Sequence, residues 1–122
     1  LRRSLPLSPD PLRTIISGAS YGGLAALWQV ARYPHTAAAA LAQSPSLWRY
    51  SLEQPLLTAP GRLLVRLQAG IYEPSIHEPA QALSRALVNG GVDAGFQSIT
   101  GGHDWAWWHP RLIHGLAGIL TG

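Results

Sequence analysis

The chain has 122 residues, of which 47% are hydrophobic and 12% charged, which excludes a disordered segment and suffices for one small globular domain. The formal net charge is +3, and the nine basic residues are all arginines. Because they lie mostly apart in the sequence, they do not form the basic stripe that is typical of nucleic-acid-binding proteins. Without cysteine there is no disulfide, no thiolate nucleophile and no cysteine-based zinc site, and no apolar stretch is long enough for a membrane span.

The predicted elements alternate between strands and helices along the chain. Residues 1–7 are typical of the end of a helix or of a linker. Strands are predicted at 12–18, 37–43, 62–69 and 94–100, helices at 22–33, 79–88 and 105–120, and an irregular segment at 47–60. Because strands separated by helices of this length form parallel βαβ units, the sequence predicts an α/β fold.

A G-x-S-x-G pentapeptide, residues 18–22, lies between the first predicted strand and the first predicted helix. Such a strand-to-helix turn projects the hydroxyl of its central residue, Ser20, clear of the sheet and above a helix N-terminus. Bulky neighbours would clash in this turn, which explains the glycines at its two ends. Ser20 is therefore predicted to attack an ester, amide or thioester carbonyl, with the backbone N–H of Tyr21 directed at the oxyanion. The alternative is a glycine- and serine-rich turn that fits the pattern by chance.

Side chains that can carry chemistry follow each predicted strand. In parallel sheets the active site gathers at the carboxyl ends of the strands, and Ser20, Ser44, Glu73 and His103 stand just after the four strands. The chain order of serine, carboxylate and histidine is that of an α/β-hydrolase triad. His103, in a glycine-rich loop, would take the proton of Ser20, and Glu73 would accept from the imidazole N–H and fix its tautomer.

Other carboxylates compete for the acid position. Glu78 is the main alternative to Glu73 as the acid. If Glu78 is the acid, Glu73 could be a solvated loop carboxylate or could contact the helix that follows Pro79. Asp104 is adjacent to His103 in sequence, and adjacent side chains rarely reach a ring nitrogen squarely. We therefore interpret Asp104 as the N-cap of the last helix.

Four segments of the chain carry a resemblance to a known family. They are 17–27 (SGASYGGLAAL), 42–48 (AQSPSLW), 69–74 (AGIYEP) and 101–105 (GGHDW). In these motifs and their spacing the chain resembles the enterochelin (enterobactin) esterase family, within the esterase-D-like α/β-hydrolases. The resemblance covers nearly the whole chain and implies the carboxyl-terminal half of a mainly parallel, doubly wound sheet with flanking helices. It also implies that Ser20 is the nucleophile, His103 the general base and Glu73 the acid.

The resemblance implies a function as well. Enterochelin esterases hydrolyse the lactone ester bonds of ferric catecholate siderophores in the bacterial cytoplasm and so release the iron, without a cofactor or a resident metal. The expected partner is a small ferric siderophore or another ester, and neither a nucleic acid nor a membrane. Two alternatives remain open: a carboxylesterase or acyl transferase of the same fold with other substrates, and a truncated fragment without catalytic activity.

The family pattern includes parts that have no counterpart in this sequence. Residues 1–122 are expected to form a partial catalytic domain that runs from the nucleophile strand to the C-terminal helix. The upstream strands, the loop with the second oxyanion donor and an amino-terminal substrate domain would then be absent. The nucleophile strand would keep an unpaired apolar edge, through which the chain could self-associate. We expect little activity from these residues alone.

Trp48 and Trp105 are predicted to contact the substrate. Trp105 follows His103 closely in sequence, and Trp48 follows the turn after the second strand, so that either indole could stack on a flat catechol ring. The alternative for both side chains is packing onto the sheet.

Overall fold

Four parallel strands form one sheet in the computed structural model, which describes residues 8–121. The helix end or linker predicted at residues 1–7 lies outside the described residues. In order across the sheet the strands are β1 (Ile15–Ala19), β2 (Ala39–Gln43), β3 (Leu64–Gly70) and β4 (Asp93–Ile99). Each strand pairs in parallel with the next, which confirms the predicted α/β architecture.

Helices connect the strands and cover the sheet. They are α1 (Tyr21–Arg32), α2 (Glu53–Leu57), α3 (Pro74–Asn89) and α4 (Trp105–Thr121). A 3₁₀ turn, Pro11–Arg13, precedes β1, and the side chain of Asp10 accepts a hydrogen bond from the backbone N–H at its second residue. This capped turn is the reason that the first strand begins at Ile15 and not at residue 12 as predicted.

Two helices differ from the sequence prediction. α3 begins at Pro74 and not at Pro79, because a proline at the first helical position has a suitable φ and an N–H that would find no partner there anyway. Pro79 then lies inside the helix. α2 falls in the segment 47–60, which the sequence predicts to be irregular. It forms because Leu52 and Leu56, four residues apart, share a face and are both buried against the core.

The main core lies between the sheet and the helices α1 and α3. β2 is buried along its whole length, and its small alanine side chains let helices approach closely on both faces of the sheet. Large core residues on this face include Leu24, Leu27, Val30, Val65, Leu67, Leu83 and Leu87. Because burial of one such side chain contributes about 1.5–3 kcal/mol, this cluster is the main source of stability for the layers that carry the site.

A row of three glutamines lies between the sheet and α4 on the opposite face. The Gln43 amide donates to Gln68 Oε1 (2.9 Å), and the Gln68 amide donates to Gln97 Oε1 (3.2 Å). The second N–H of each donor amide bonds to a backbone carbonyl of α4, at Trp108 O (2.7 Å) from Gln43 and at Arg111 O (3.2 Å) from Gln68. Since an amide has only two N–H groups, every N–H donor of Gln43 and Gln68 is hydrogen-bonded. This glutamine ladder fixes the position of α4 on β2 and β3.

β1 ends the sheet on one side in the part of the chain that the structure describes. It pairs with β2 along one edge, and no strand lies beside its other edge. The backbone groups along that outer edge are therefore available to a further strand.

Candidate active site

The carboxyl ends of the four strands meet at one edge of the sheet. Because all strands are parallel, the residues that follow them are brought to the same edge, as is usual for active sites of α/β proteins. Ser20 follows β1, Ser44 follows β2, Glu73 follows β3 and the loop with His103 follows β4. Side chains that are up to 83 residues apart in sequence thereby come into hydrogen-bond contact.

Ser20 occupies a strained turn between β1 and α1. Its φ of 60° and ψ of −122° are uncommon for a residue with a side chain and cost conformational energy. Backbone hydrogen bonds hold the turn, since Ser20 N–H donates to Gln43 O (2.8 Å) and Ser46 N–H donates to Ser20 O (3.2 Å). The Ser20 hydroxyl makes no capping bond to α1. It therefore remains available to His103.

The glycines of the pentapeptide have different steric roles. A Cβ at Gly18 would collide with the carbonyl of Gly22, so the turn requires a glycine at position 18. A Cβ at Gly22 would meet nothing within 4 Å, so the predicted clash does not apply there. Gly23 is the second tight position, since a Cβ would lie 3.1 Å from Gln43 O and 3.2 Å from Gly18 O.

Ser20, His103 and Glu73 form one hydrogen-bonded line. His103 Nε2 lies 3.0 Å from Ser20 Oγ, and His103 Nδ1 lies 2.7 Å from Glu73 Oε1. An ionised carboxylate can only accept, so Nδ1 carries the hydrogen and donates to Glu73. Nε2 of the neutral imidazole is then an acceptor for the Ser20 hydroxyl. This arrangement can withdraw the serine proton as the oxygen attacks a carbonyl.

Glu73 is buried and fully hydrogen-bonded. Glu73 is 6% exposed. In addition to the bond from His103 to Oε1, its Oε2 accepts from the backbone N–H of Gly70 (2.7 Å) and from the hydroxyl of Ser44 (2.7 Å). A buried carboxylate is costly unless donors surround it, and here three donors do so. Glu73 is the residue before α3, yet its side chain makes no capping bond to that helix.

Glu78, the alternative acid, does not reach the histidine. It is exposed on α3, and both ring nitrogens of His103 are already engaged by Glu73 and Ser20. Asp104 caps α4 as predicted, because its carboxylate accepts from the N–H of Ala106 (2.9 Å). The structure thus brings Glu73, and neither of the other two carboxylates, to the imidazole.

Two further residues, Ser44 and Trp108, contact the triad, although the sequence predicts no contact with the triad for either. Trp108 Nε1–H donates to Ser44 Oγ (2.9 Å), and the Trp108 ring meets the His103 ring edge to face at a centroid distance of 4.8 Å. Ser44 stands out in sequence only as a residue that follows a strand. Trp108 stands out only as one of three tryptophans after His103. The contact between Trp108 and Ser44 depends on the placement of α4 and has no local sequence signal.

The backbone N–H of Tyr21 lies at the start of α1. As the first residue of the helix, Tyr21 has no carbonyl one turn earlier to accept from its N–H, which suits an oxyanion donor. The Tyr21 ring contacts Trp48 edge to face at 5.8 Å. Trp48 is 60% exposed. It therefore presents its indole to solvent next to the residue that follows Ser20.

Trp105 lies at the start of α4 on the histidine side of the site. It is 74% exposed, and its ring contacts Trp108 edge to face at 5.1 Å. Trp107 and Trp108 are the buried members of this group and form a small core with Ile99. Trp107 and Trp108 thus anchor α4 on the sheet, whereas Trp105 is open to solvent.

Neither a metal cluster nor a membrane helix is found in residues 8–121. No three side chains of histidine, cysteine, aspartate or glutamate gather there in a way that could hold a metal ion. None of the helices described combines the length and the apolar character that crossing a bilayer requires.

Comparisons with known proteins point to one family. The chain matches the family model "Putative esterase" over residues 1–119. It is 35% identical to an iron(III) enterobactin esterase of Dickeya dadantii over 98% of this chain, and 35% identical to an iron(III) salmochelin esterase of Escherichia coli O6:H1 over 93%. The chain covers 32% of each of these proteins, so it spans about a third of the length of the curated relatives it matches.

A solved structure shares the fold. The enterobactin esterase of Shigella flexneri, solved in the presence of enterobactin, has a TM-score of 0.86 and 32% identity, over 98% of this chain and 33% of that one. The resemblance to enterobactin esterases and the α/β-hydrolase fold that it implies are therefore confirmed for this chain.

Proposed function

Because the chain belongs to the esterase family, we propose that it hydrolyses carboxylic esters, with Ser20 as the nucleophile, His103 as the general base and Glu73 as the acid. The observation that carries the proposal is the continuous line of hydrogen bonds from Ser20 Oγ to His103 Nε2 (3.0 Å) and from His103 Nδ1 to Glu73 Oε1 (2.7 Å). Both distances lie in the range that proton transfer requires.

The reaction proceeds through an acyl-serine. Ser20 Oγ attacks the ester carbonyl carbon while its proton passes to His103 Nε2, and Glu73 stabilises the imidazolium that forms. The oxyanion accepts from the N–H of Tyr21, where the N-terminus of α1 also favours negative charge. His103 then gives the proton to the leaving oxygen, and the alcohol departs. Water, deprotonated by the same imidazole, hydrolyses the acyl-serine to a carboxylate and restores the hydroxyl.

The substrate is a lactone ester of a ferric catecholate siderophore. Similar proteins of Dickeya dadantii and Shigella flexneri are named for enterobactin, which supports this class of substrate. Trp48 and Trp105 are exposed on two sides of the site, where their indoles can stack on catechol rings. Arg49 lies over the ring of Tyr50 at 5.0 Å, next to Trp48 in sequence, and adds a positive charge for an anionic ferric catecholate.

We also propose that the protein acts in the cytoplasm. In the cytoplasm the iron set free by lactone hydrolysis is directly available to the cell.

The outer edge of β1 accepts a strand from a second copy of the chain, since its backbone groups have no strand beside them in residues 8–121. Sedimentation velocity over a concentration series should show a dimer, and a monomer at every concentration would contradict this association.

The substrate proposal is tested by product analysis. The purified protein, incubated with a ferric catecholate trilactone, should slowly release linear products, in keeping with the low activity expected of these residues alone, and a Ser20→Ala variant should release none. A Ser84→Ala variant is the matched control, because Ser84 is buried on α3 and lies eleven residues along the chain from Glu73. Hydrolysis of simple aryl esters alone would favour a carboxylesterase of other specificity. A failure to hydrolyse any ester would favour the non-catalytic alternative.

A further inference from the structure

We propose that Ser44 is a positioning residue whose buried hydroxyl holds the Glu73 carboxylate in line with His103, and that Trp108 orients this hydroxyl. The inference rests on the proposed esterase function for its effect on turnover. Its structural part concerns only the direction of one carboxylate. It is carried by four hydrogen bonds that meet at the Ser44 hydroxyl and the Glu73 carboxylate, and by the backbone conformation of Ser44.

The direction of each hydrogen bond at Ser44 is determined by chemistry. The indole N–H of Trp108 can only donate, so Ser44 Oγ accepts it at 2.9 Å. The Glu73 carboxylate can only accept, so the single hydroxyl hydrogen of Ser44 points to Glu73 Oε2 at 2.7 Å. The hydroxyl therefore has one orientation and cannot rotate away without the loss of a buried bond. Such a bond to a charged acceptor is stronger than one between neutral groups.

The backbone of Ser44 is strained in a way that serves this contact. Its φ is +44°, and Ser44 and Ser20 are the two residues other than glycine in residues 8–121 that have a positive φ. If β2 continued as an extended strand, the side chain of Ser44 would lie on the face of Ala42, towards α1. The left-handed turn directs the hydroxyl instead to Glu73 and to Trp108 on α4. The N–H of Ser44 still donates to Gln68 O (2.7 Å), which anchors the turn.

Glu73 needs this restraint because another role is open to it. It stands at the N-cap position of α3, where side-chain oxygens usually accept from the N–H groups of the first turn. Ser44 and the N–H of Gly70 hold Oε2 away from that turn, so that Oε1 faces His103. Without the Ser44 hydroxyl, we expect the carboxylate to turn towards the helix N-terminus and to leave the imidazole.

A double-mutant cycle separates this role from a general effect on folding. Ser44→Ala should lower kcat about ten- to a hundredfold with little change in KM. In a Glu73→Ala background the same substitution should have no further effect, because the group on which Ser44 acts is gone. Ser84→Ala, which truncates a buried serine elsewhere on α3, should change kcat in neither background. An equal loss of activity from Ser44→Ala in both backgrounds would overturn the proposal.

A second measurement does not depend on ester hydrolysis. In a crystal structure of the Ser44→Ala variant, His103 Nδ1 and Glu73 Oε1 should be beyond hydrogen-bond distance, against 2.7 Å with the serine. An unchanged distance would overturn the proposal even if the protein is an esterase. Conversely, a displaced carboxylate in a protein that hydrolyses no ester would refute the esterase function alone. If Ser44→Ala does not fold, Trp108→Phe removes the N–H donor to Ser44 together with part of the indole ring, and should displace the carboxylate in the same direction.

Discussion

Ser20 and Ser44 directly follow neighbouring strands and direct their hydroxyl groups at the two ends of the hydrogen-bonded pair His103–Glu73. Ser20 Oγ lies 3.0 Å from His103 Nε2, and Ser44 Oγ lies 2.7 Å from Glu73 Oε2. Both serines have a positive φ, which is rare for residues with a side chain. The backbone strain in the described chain is thus concentrated where the two hydroxyl groups leave the sheet and face the candidate triad.

Gly18→Ala should destabilise the fold. The added Cβ collides with the carbonyl of Gly22, and overpacking of this kind costs about 1–3 kcal/mol in the free energy of unfolding. Gly22→Ala is the matched control, since its Cβ enters open space and alanine favours the helix by up to about 1 kcal/mol. Urea unfolding of the two variants measures the difference. Equal stability of both variants would contradict the steric account of the turn.

Glu73→Gln should lower kcat and leave KM nearly unchanged. The amide has no charge to stabilise the imidazolium and can hold His103 in the wrong tautomer, so a loss of about 10²- to 10⁴-fold is expected. Glu78→Gln, an exposed change on α3, should have wild-type kinetics. Steady-state kinetics on one ester substrate decide between the two carboxylates, and a larger loss with Glu78→Gln would reverse the assignment.

Gln43→Leu should lower stability more than Gln97→Leu. The first change removes both N–H donors of Gln43 and leaves the acceptors Trp108 O and Gln68 Oε1 without them, at a cost of about 1–3 kcal/mol. Gln97 only accepts one bond, at 3.2 Å from Gln68, so its loss should cost less. Thermal unfolding of the two variants provides the comparison. If Gln97→Leu is the more damaging change, the ladder does not anchor α4.

Trp48→Ala and Trp105→Ala should weaken binding of catecholate esters without a loss of stability. Both indoles are largely exposed, and loss of stacking should raise KM for a ferric catecholate lactone about three- to tenfold. KM for a small aliphatic ester should be unchanged. Tyr33→Ala removes an exposed aromatic side chain at the C-terminal end of α1, opposite to the end that carries Ser20, and serves as the control. Equal effects on both substrates would assign these residues to packing.

Much of the architecture can be predicted from the sequence, because glycine and proline mark the ends of most helices and strands. The strand-to-helix turn around Ser20 and the glycine-rich loop before His103 have local signals, and so does the Asp104 cap of α4. The start of α3 is not predictable in the same way, because Pro74 and Pro79 are equally good first residues and only tertiary packing decides between them.

The environment of the acid is the part that the sequence does not reveal. Glu73 and Glu78 are only five residues apart in sequence. Which of them contacts His103 depends on where β3 ends and α3 begins, because only Glu73 lies in the connection between the two. The contact of Trp108 with Ser44 joins residues 64 positions apart and requires α4 to lie correctly over β2. No local pattern encodes such a contact.

Activation of Ser20 as a nucleophile by His103 and Glu73 can be tested by covalent labelling. Its most direct test is incubation with a fluorophosphonate probe, followed by intact mass measurement and peptide mapping. We expect a single adduct on Ser20 that His103→Ala largely abolishes and Ser84→Ala leaves unchanged. If no adduct forms, or if it forms on another serine such as Ser46, whose hydroxyl lies 3.4 Å from that of Ser20, then Ser20 is not the activated nucleophile.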